Sequence, residues 1–388
     1  MIRYLTAGES HGPALVGILD GLPAGMRVDI EAMKHQLRAR QGGYGRGKRM
    51  SIEADEAEFV AGLRGGVTLG SPIALIIRNR DFENVKALMD PLTGAGDPIT
   101  RPRPGHADYA GALKYRHRDL RNVLERASAR ETAMRVALGE LARQYLGLFG
   151  VEVAGFVKQI GDVAAKNPPG FPDIKDMEPS PVRCPDPDAS LRMVERIDLA
   201  KAQGDTLGGE FELRVAGMPV GIGSNRQPTD RLDAALCGAL MSVQTVKAVE
   251  VGEGISTGGY VGSRSHDTFE ADDKKIRRSS NRAGGIEGGM SNGEDIVVRV
   301  RVKPIATLMK PLASVDLTTG AAAPAAIVRS DVCAVPAASV IGEAMLCLTL
   351  ATAFSEKYGG DSVDEVREHF EASERGAAGV FAPEGAKR

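Results

Sequence analysis

The 388-residue sequence predicts a mixed α+β fold in one large domain. Strand-like and helix-like segments follow one another from the N-terminus onwards. The segment 339–360, "SVIGEAMLCLTLATAFSEKYGG", is apolar on nearly every face, as a helix sandwiched between sheets would need to be. No repeat, low-complexity tract or linker divides the chain, so the sequence predicts a single domain over residues 1–388.

The strand predictions rest on apolar runs and on alternation. Residues 14–29, "ALVGILDGLPAGMRVD", predict a strand, a turn over 21–25 and a second strand, while 30–40 have helical spacing. Strands are also predicted within 71–81 and 209–221. In 296–304, "IVVRVRVKP", valines alternate with basic residues, which predicts a half-exposed strand with a basic outer face.

Two long helices are predicted in addition. Residues 135–150, "RVALGELARQYLGLFG", carry apolar side chains at spacings of three and four, which predicts an amphipathic helix with Gly150 as its C-cap. The apolar segment 339–360 predicts a helix buried on all sides, with Gly359 and Gly360 as its stop.

The composition is that of an ordinary globular protein and excludes several functional classes. Hydrophobic residues make up 43% and charged residues 26%, and the net charge of −2 provides no global field for nucleic acid or an anionic membrane. Four cysteines show no metal-ligand spacing, which favours free thiols in the cytoplasm. No signal peptide or membrane span is predicted.

Chemistry concentrates in glycine-rich loops, of which the first is "GESHG" at 8–12. Its glycines present Ser10 and His11, although a polar turn before a strand explains the same pattern. The loop 37–50, "LRARQGGYGRGKRM", gathers basic side chains that could converge on a small anion, form a solvated basic loop or serve as a nucleic-acid arm. These side chains are Arg38, Arg40, Arg46, Lys48 and Arg49.

Two further motifs place polar groups beside stiff or helical backbone. In "RPRPGHADYAG" (101–111), prolines restrict where His106 points, which suits a general acid. In "RASARETAMR" (126–135), Ser128 is a predicted N-cap with Glu131 at the capping-box position. Arg126, Arg130 and Arg135 crowd the same helix start, which is a natural anion site.

The remaining motifs lie in the C-terminal half. "NRAGGIEGGMSNG" (281–293) permits close backbone approach to a flat ring or a phosphate, but it has no nucleotide-fold fingerprint. "VRSDVCAVPA" (328–337) carries Arg329, together with Asp331 as an N-cap or a partly desolvated base. No metal site is predicted, and the other histidines are expected at the surface. They are His35, His117, His266 and His369.

Taken in this order, the motifs resemble those of the chorismate synthase family over most of the chain. The resemblance implies helices packed between antiparallel sheets and a homotetramer. It also implies a reduced-FMN-dependent lyase of the shikimate pathway, acting by trans-1,4-elimination of phosphate from 5-enolpyruvylshikimate 3-phosphate to give chorismate. A small-molecule substrate is thereby implied, without nucleic acid or membrane as a partner.

The resemblance also implies residue roles. By similarity His11, with Ser10 close by, serves the substrate phosphate, and His106 lies near the flavin pyrimidine edge. Asp331 and Ser128 match positions near flavin N5, which is thought to receive the substrate hydrogen after transient electron donation.

Binding residues follow from the same correspondence. Positions matching Arg40 and Arg46 are associated with NADP but could equally bind substrate, as could Arg49 and Arg130. The implied flavin contacts are Arg126, Ala127, Ser128, Gln244, Thr245, Gly288, Lys303, Pro304, Ile305, Ala306, Thr307 and Arg329.

Two other functions stay open at this level. One is a bifunctional enzyme that also reduces FMN with NADPH, in contrast to a role of NADPH as an indirect reductant only. The other is a non-catalytic anion- or RNA-binding protein that uses the basic loop. The latter would not require two loop histidines and would show salt-dependent RNA binding.

Overall fold

The computed structural model describes residues 1–47, 54–166, 170, 180–272, 275–327, 331–378 and 380. Its strands are β1 Arg3–Ala7, β2 Ala14–Asp20, β3 Ala57–Ala61, β4 Leu63–Arg64, β5 Val67–Thr68, β6 Ile73–Arg78, β7 Glu152–Ile160, β8 Val163–Ala164, β9 Gly209–Ala216, β10 Val246–Val251, β11 Phe269–Asp272, β12 Lys275–Arg278, β13 Ile286–Glu287, β14 Met290–Ser291, β15 Ile296–Val302, β16 Ala313–Val315 and β17 Ala322–Pro324. Its α-helices are α1 Ile30–Gln41, α2 Phe82–Met89, α3 Asp108–Tyr115, α4 Arg121–Ala127, α5 Thr132–Gly147, α6 Pro187–Ala202, α7 Leu232–Met241, α8 Gly262–Ser265, α9 Val335–Tyr358 and α10 Val363–Ala378. The α+β prediction is confirmed.

Two antiparallel sheets organise the described part of the chain. The smaller sheet has the order β1-β2-β6-β3, and the larger has the order β10-β15-β9-β7-β8. Within the larger sheet, Val298 and Val300 of β15 lie opposite Leu213 and Phe211 of β9 and are fully buried. These apolar pairs form the inner face of the sheet.

Helices α5 and α9 fill the space between the sheets. Helix α5 contacts β1, β2 and β6 on one side and α9 on the other, and α9 contacts β7 and β9. The two helices approach closely at Gly139, where an added Cβ would lie 2.5 Å from Cβ of Ala344. The predicted sandwich of helices between antiparallel sheets is therefore confirmed.

Helix α9 matches the predicted buried helix. It is long and apolar enough to cross a membrane, yet 83% of its most apolar 18-residue stretch is buried in the protein, as in a core helix. Its apolar side chains belong to the same core as those of both sheets, which extends from Ile2 to Val366. The single-domain organisation over 1–388 stays a prediction.

Three local predictions need correction. Helix α5 is buried on almost all sides rather than amphipathic, because its predicted polar face packs against α1 and α9. It ends at Gly147 with Leu148 as its cap, so Gly150 follows the helix rather than caps it. The second strand expected near 26–29 is absent from the described strands, and Arg27 makes only an isolated bridge to Val67.

The outer face of β15 is basic in sequence but is neutralised in the fold. Nε of Arg299 lies 3.0 Å from Oε2 of Glu212, and Nε of Arg301 lies 2.7 Å from Oε2 of Glu210. Both glutamates lie on the neighbouring strand β9, directly opposite their partners. Cross-strand pairing therefore leaves this face with little net charge.

Candidate active site

The loop that carries Ser10 and His11 is fastened by Arg126 at the end of α4. The Arg126 guanidinium donates to the carbonyl of Gly8 at 3.1 Å and to the carbonyl and Oγ1 of Thr6, both at 2.9 Å. Gly8 has φ +109°, and a Cβ there would lie 2.4 Å from the Ala14 carbonyl oxygen. Only glycine fits this turn, which aims the following residues back toward α4.

His11 is held by the carboxylate of Glu125. The backbone N–H of His11 donates to Oε2 at 2.7 Å, and its Nδ1 lies 2.8 Å from Oε1. The Ser10 N–H donates to the Glu125 carbonyl at 3.0 Å, and Ser128 Oγ donates to Ser10 Oγ at 3.2 Å. The structure thus brings together Ser10, His11 and Ser128, while the roles assigned to them stay predictions.

Ser128 caps a different element from the one predicted. Its Oγ accepts the N–H of Arg130 at 3.3 Å and caps the short 3-10 turn Ala129–Glu131, after which α5 begins at Thr132. Glu131 does not complete a capping box but lies 2.8 Å from Nη2 of Arg135. The prediction that Ser128 caps the α-helix is therefore wrong, because the 3-10 turn lies between Ser128 and α5.

Beneath Ser128, two predicted substrate or NADP ligands share one buried carboxylate. Nη1 of Arg130 lies 2.5 Å from Oδ1 of Asp55, and Nη1 of Arg40 lies 3.5 Å from its Oδ2. Arg40 also donates to Thr132 Oγ1 and to the Ala129 carbonyl. Burial lowers the pKa of Arg40 to about 10, which leaves it cationic at neutral pH. Direct contact of Arg40 and Arg130 with substrate stays a prediction.

Asp331 is joined to this cluster through the basic loop. Nη1 of Arg46 lies 2.8 Å from Oδ2 of Asp331, and the Gly47 N–H donates to Oδ1 at 2.6 Å. Asp331 is not the N-cap of α9, which begins at Val335. The predicted ligands Arg49 and Arg329 lie outside the described residues.

His106 forms a second carboxylate–histidine pair. Its Nδ1 lies 2.5 Å from Oδ1 of Asp108, and Nε and Nη2 of Arg103 donate to the two oxygens of that carboxylate at 2.8 and 3.0 Å. Burial raises the pKa of Asp108, but hydrogen bonds from His106 and Arg103 outweigh it and hold the pKa well below its usual range. Arg103 also donates to Thr307 Oγ1 at 2.9 Å, which joins this loop to the predicted flavin segment 303–307.

The predicted flavin residues 244–245 and 303–307 lie together. The N–H of Lys303 donates to the Thr245 carbonyl at 2.9 Å, and its Nζ donates to the carbonyl of Gly105. Burial lowers the pKa of the Lys303 ammonium. Thr245 has φ +75°, a strained conformation for a β-branched residue and one that concentrates at ligand sites.

Further contacts join the two histidine loops into one network. Nε2 of Gln244 donates to Oε1 of Glu131 at 2.8 Å, next to the turn that Ser128 caps. On the other side, Thr206 Oγ1 donates to the Ile305 carbonyl, and the Leu207 N–H donates to the carbonyl of Val332, the neighbour of Asp331. Contacts therefore run from Ser128 through 244–245 and 303–307 to Asp331.

Gly288 is not brought to this network by any contact among the described residues. It lies in the turn between β13 and β14, and that hairpin contacts Gly223 and Leu232. Cavities of about 370 and 420 Å³ also lie elsewhere; one is lined in part by Arg214 and Arg299, the other by His266. Their described lining residues include no predicted site residue. No group of three or more candidate metal ligands occurs in the described ranges.

Sequence reasoning missed the buried carboxylates that organise the site. Glu125 and Asp55 were not singled out, and neither was Asn79, whose side chain donates to the carbonyls of Glu9 and Gly12 and accepts from Arg130 Nε. Glu125 adjoins Arg126 and is an acidic group near the end of a helix, where the dipole disfavours it. That placement was a usable signal, whereas Asp55 gave none.

The comparisons with known proteins decide the family. The family model described as chorismate synthase matches residues 2–354. The chain belongs to the chorismate synthase family. It is 55% identical to the chorismate synthase of Symbiobacterium thermophilum over 382 residues, covering 95% of this chain and 97% of that relative. It is 57% identical to the chorismate synthase of Desulforudis audaxviator over 372 residues, covering 94% and 95%.

A solved structure supports the same conclusion. The crystal structure of a chorismate synthase superposes with a TM-score of 0.77 at 39% identity, covering 96% of this chain and 97% of that one. The chain is thus a lyase of the chorismate synthase family, whose reaction is the last step of the shikimate pathway. The non-catalytic reading of the basic loop is set aside.

Proposed function

We propose that this chain carries out the trans-1,4-elimination of phosphate from 5-enolpyruvylshikimate 3-phosphate with reduced FMN, giving chorismate. The observation that carries the proposal is the fixed imidazole of His11. Glu125 holds its Nδ1 while the side chain stays 27% exposed, so the ring is both oriented and reachable. A positioned acid of this kind contributes ~10²–10⁴-fold in rate.

Charge supports the binding of this substrate, which carries one phosphate and two carboxylates. Among the described residues of the cluster, the guanidinium groups of Arg40, Arg46, Arg126 and Arg130 outnumber the carboxylates of Asp55, Glu125 and Asp331 by one. All four arginines already have partners within the protein. We therefore assign them an attractive field as well as the binding roles predicted from the sequence.

The leaving phosphate gains negative charge as its C–O bond breaks. His11, with Ser10 and Ser128 beside it, supplies a proton or hydrogen bonds to that oxygen. We assign the role of proton acceptor to Asp331, whose carboxylate is held by the Arg46 guanidinium and the Gly47 N–H. Ser128 shares a hydrogen bond with Ser10, so its hydroxyl is also oriented.

The residues at 244–245 and 303–307 fit a flavin. Among the described residues, the buried Oε1 of Gln244 has no hydrogen-bond donor, and the Lys303 ammonium and Thr307 hydroxyl lie on the same segment. Reduced FMN, when bound, supplies an electron-rich ring that donates an electron transiently and recovers it, so the reaction has no net redox change. His106, fixed by Asp108, offers an imidazole to the edge of such a ring. The set proposed by similarity also contains Arg126, Ala127, Ser128, Gly288 and Arg329.

The test is phosphate release from the shikimate substrate with FMN kept reduced under anaerobic conditions. We expect release that depends on FMN and falls by at least ~10²-fold in His11→Ala and in His106→Ala. The control His35→Ala changes an exposed histidine on α1 and leaves the rate unchanged. Folded protein that releases no phosphate contradicts the proposed reaction, and unchanged turnover in either variant removes that residue's role.

NADPH is proposed as an indirect reductant that acts through a separate flavin reductase. The sequence lacks a dinucleotide fingerprint, and the predicted NADP ligand Arg40 is buried against Thr132 and Ala129. Anaerobic NADPH oxidation with FMN and this protein alone tests the assignment. Oxidation that scales with protein concentration establishes the bifunctional alternative instead.

A homotetramer is proposed from the family and is supported by the outer face of the smaller sheet. There Leu5 is 70% exposed and lies directly opposite Ile18, and Val16 continues the same face. Apolar sheet faces of this kind favour isologous association. We expect Leu5→Glu to lower the mass measured by light scattering, while Leu92→Glu, at a 94% exposed loop position, leaves it unchanged.

We also propose that the protein is cytoplasmic and that it acts on a small-molecule substrate, without nucleic acid or a membrane as a partner. The four free thiols fit a reducing compartment, and three of them are buried. Burial raises the pKa of Cys333 to about 11 and that of Cys347 to about 12, so neither is a reactive thiolate at neutral pH. Cell fractionation and salt-dependent RNA binding assays test both parts of this assignment.

A further inference from the structure

Glu125 reaches the His11 loop through both its backbone and its side chain. It lies in the last turns of α4 and is only 5% exposed. Its carbonyl accepts the Ser10 N–H, and its carboxylate accepts the backbone N–H of His11 and faces the ring Nδ1. One residue therefore sets both the path of the loop and the orientation of the imidazole.

The Nδ1 contact determines which ring nitrogen carries a proton. A carboxylate only accepts hydrogen bonds, so the two Nδ1 distances of 2.8 and 3.0 Å require a proton on Nδ1. The ring then has Nε2 on the side opposite the carboxylate. In hydrolases and metal sites, a carboxylate behind a histidine fixes the tautomer and aim in the same way.

The two carboxylate–histidine pairs differ in how the carboxylate is compensated. Asp108 receives the guanidinium of Arg103 in addition to His106. Among the described residues, the Glu125 carboxylate accepts bonds from His11 alone. In the described part of the chain, the buried negative charge of Glu125 is therefore compensated through His11 and is not shared with an arginine.

We propose that Glu125 is a positioning residue that holds the Nδ1–H of His11 and thereby turns Nε2 toward the leaving phosphate, so that the imidazolium form of the ring donates its Nε2 proton to the phosphate oxygen. The proposal rests on the role of His11 given above. Glu125 itself does not touch substrate, because its carboxylate lies behind the ring and is covered by the His11 loop. Its contribution is realised entirely through His11.

The decisive experiment compares Glu125→Gln, His11→Ala and the double variant. Glutamine keeps the size of the side chain and an oxygen acceptor but removes the charge and can donate instead. We expect kcat for anaerobic phosphate release to fall about 10- to 100-fold in Glu125→Gln with little change in KM. In the His11→Ala background the same substitution changes kcat less than about twofold, since it has no imidazole to act on.

A spectroscopic readout separates positioning from general stability. In ¹⁵N-histidine-labelled protein, the His11 resonances are assigned by their loss in His11→Ala, and we expect a protonated Nδ1. In Glu125→Gln a mixture of tautomers appears, whereas Glu125→Asp, which restores the charge, recovers part of both the tautomer and kcat. Glu140→Gln is the matched control, because Glu140 is also buried but is hydrogen-bonded to Gln144 and lies beside Arg143 on α5; its kcat stays within about twofold.

The outcomes distinguish this proposal from the proposed function. If His11→Ala is inactive but Glu125→Gln keeps both its tautomer and its kcat, the positioning role is wrong and the role of His11 stands. An equal loss from Glu125→Gln in the presence and absence of His11 also overturns the proposal, since it means a purely structural effect. If Glu125→Gln does not fold, an unchanged tautomer ratio in Glu125→Asp with lost kcat rejects it.

Discussion

The buried carboxylate of Asp55 allows a quantitative prediction for Asp55→Asn. Its side chain is 0% exposed, and those of Arg40 and Arg130 are 4% and 3% exposed. Asparagine has nearly the same shape and keeps one oxygen for Arg130, but it removes the negative charge that Asp55 shares between two buried guanidinium groups. Removing one partner of a buried ion pair costs about 3–5 kcal/mol. Because the oxygen acceptor remains, we expect the lower end, about 3 kcal/mol.

Urea unfolding at a fixed protein concentration measures this loss in the free energy of unfolding. The control is Asp20→Asn, the same substitution at an exposed position at the end of β2, which we expect to cost less than about 0.5 kcal/mol. Arg130 and Arg40 also support the turn that Ser128 caps, so KM for the phosphate substrate should rise in Asp55→Asn. Equal stability of the two variants refutes the reasoning, because it means that Asp55 does not compensate the buried guanidinium groups.

The remaining predictions concern packing and pH. Gly139→Ala should destabilise by about 1–3 kcal/mol by forcing α5 away from α9 at Ala344, while Gly147→Ala, with open space around it, should be neutral or stabilising; equal effects in urea unfolding contradict the helix contact. Hydrogen bonds to the Gly359 and Tyr358 carbonyls raise the pKa of His369 above 6.5. The contribution of His369 to the free energy of unfolding is therefore fully present below pH 6.5 and is lost as the pH rises through the raised pKa. The melting temperature of His369→Gln should therefore depend less on pH between pH 6 and 8 than that of the unsubstituted protein. An unchanged dependence on pH argues against this contribution.

The sequence predicted the elements whose surroundings are simple and failed where the tertiary structure decides. Helix α9 was predicted correctly, because a helix that is apolar on every face is stable only when it is buried in the core. Helix α5 was predicted with a solvent-facing side, because Glu140 and Arg143 look like surface residues until their mutual pairing permits burial. The second strand near Arg27 failed because its pairing partner, Val67, offers only one bridge.

The same distinction applies to the site. Glycine-rich motifs mark the loops that carry His11, His106 and Arg46, since close backbone approach requires glycine locally. The carboxylates of Glu125 and Asp55 lie far away in the sequence from their partners His11 and Arg130, whereas Asp108 lies only two residues after His106. Pairing across such distances leaves no periodic signal, so Glu125 and Asp55 became visible only in the folded chain.

The positions of the two histidines follow from one structural solution used twice. Each lies in an irregular loop beside a helix that supplies a carboxylate: α4 supplies Glu125 to His11, and the start of α3 supplies Asp108 to His106. A loop alone cannot hold an imidazole rigidly, because its backbone is flexible, whereas a helical carboxylate is fixed by the packing of the helix. The difference lies in Arg103, which shares only the second carboxylate. The undivided charge of Glu125 suits a histidine that supplies a proton to a leaving group, and the shared charge of Asp108 suits one that hydrogen-bonds to a bound ring. The two loops therefore provide different chemistry from the same local design.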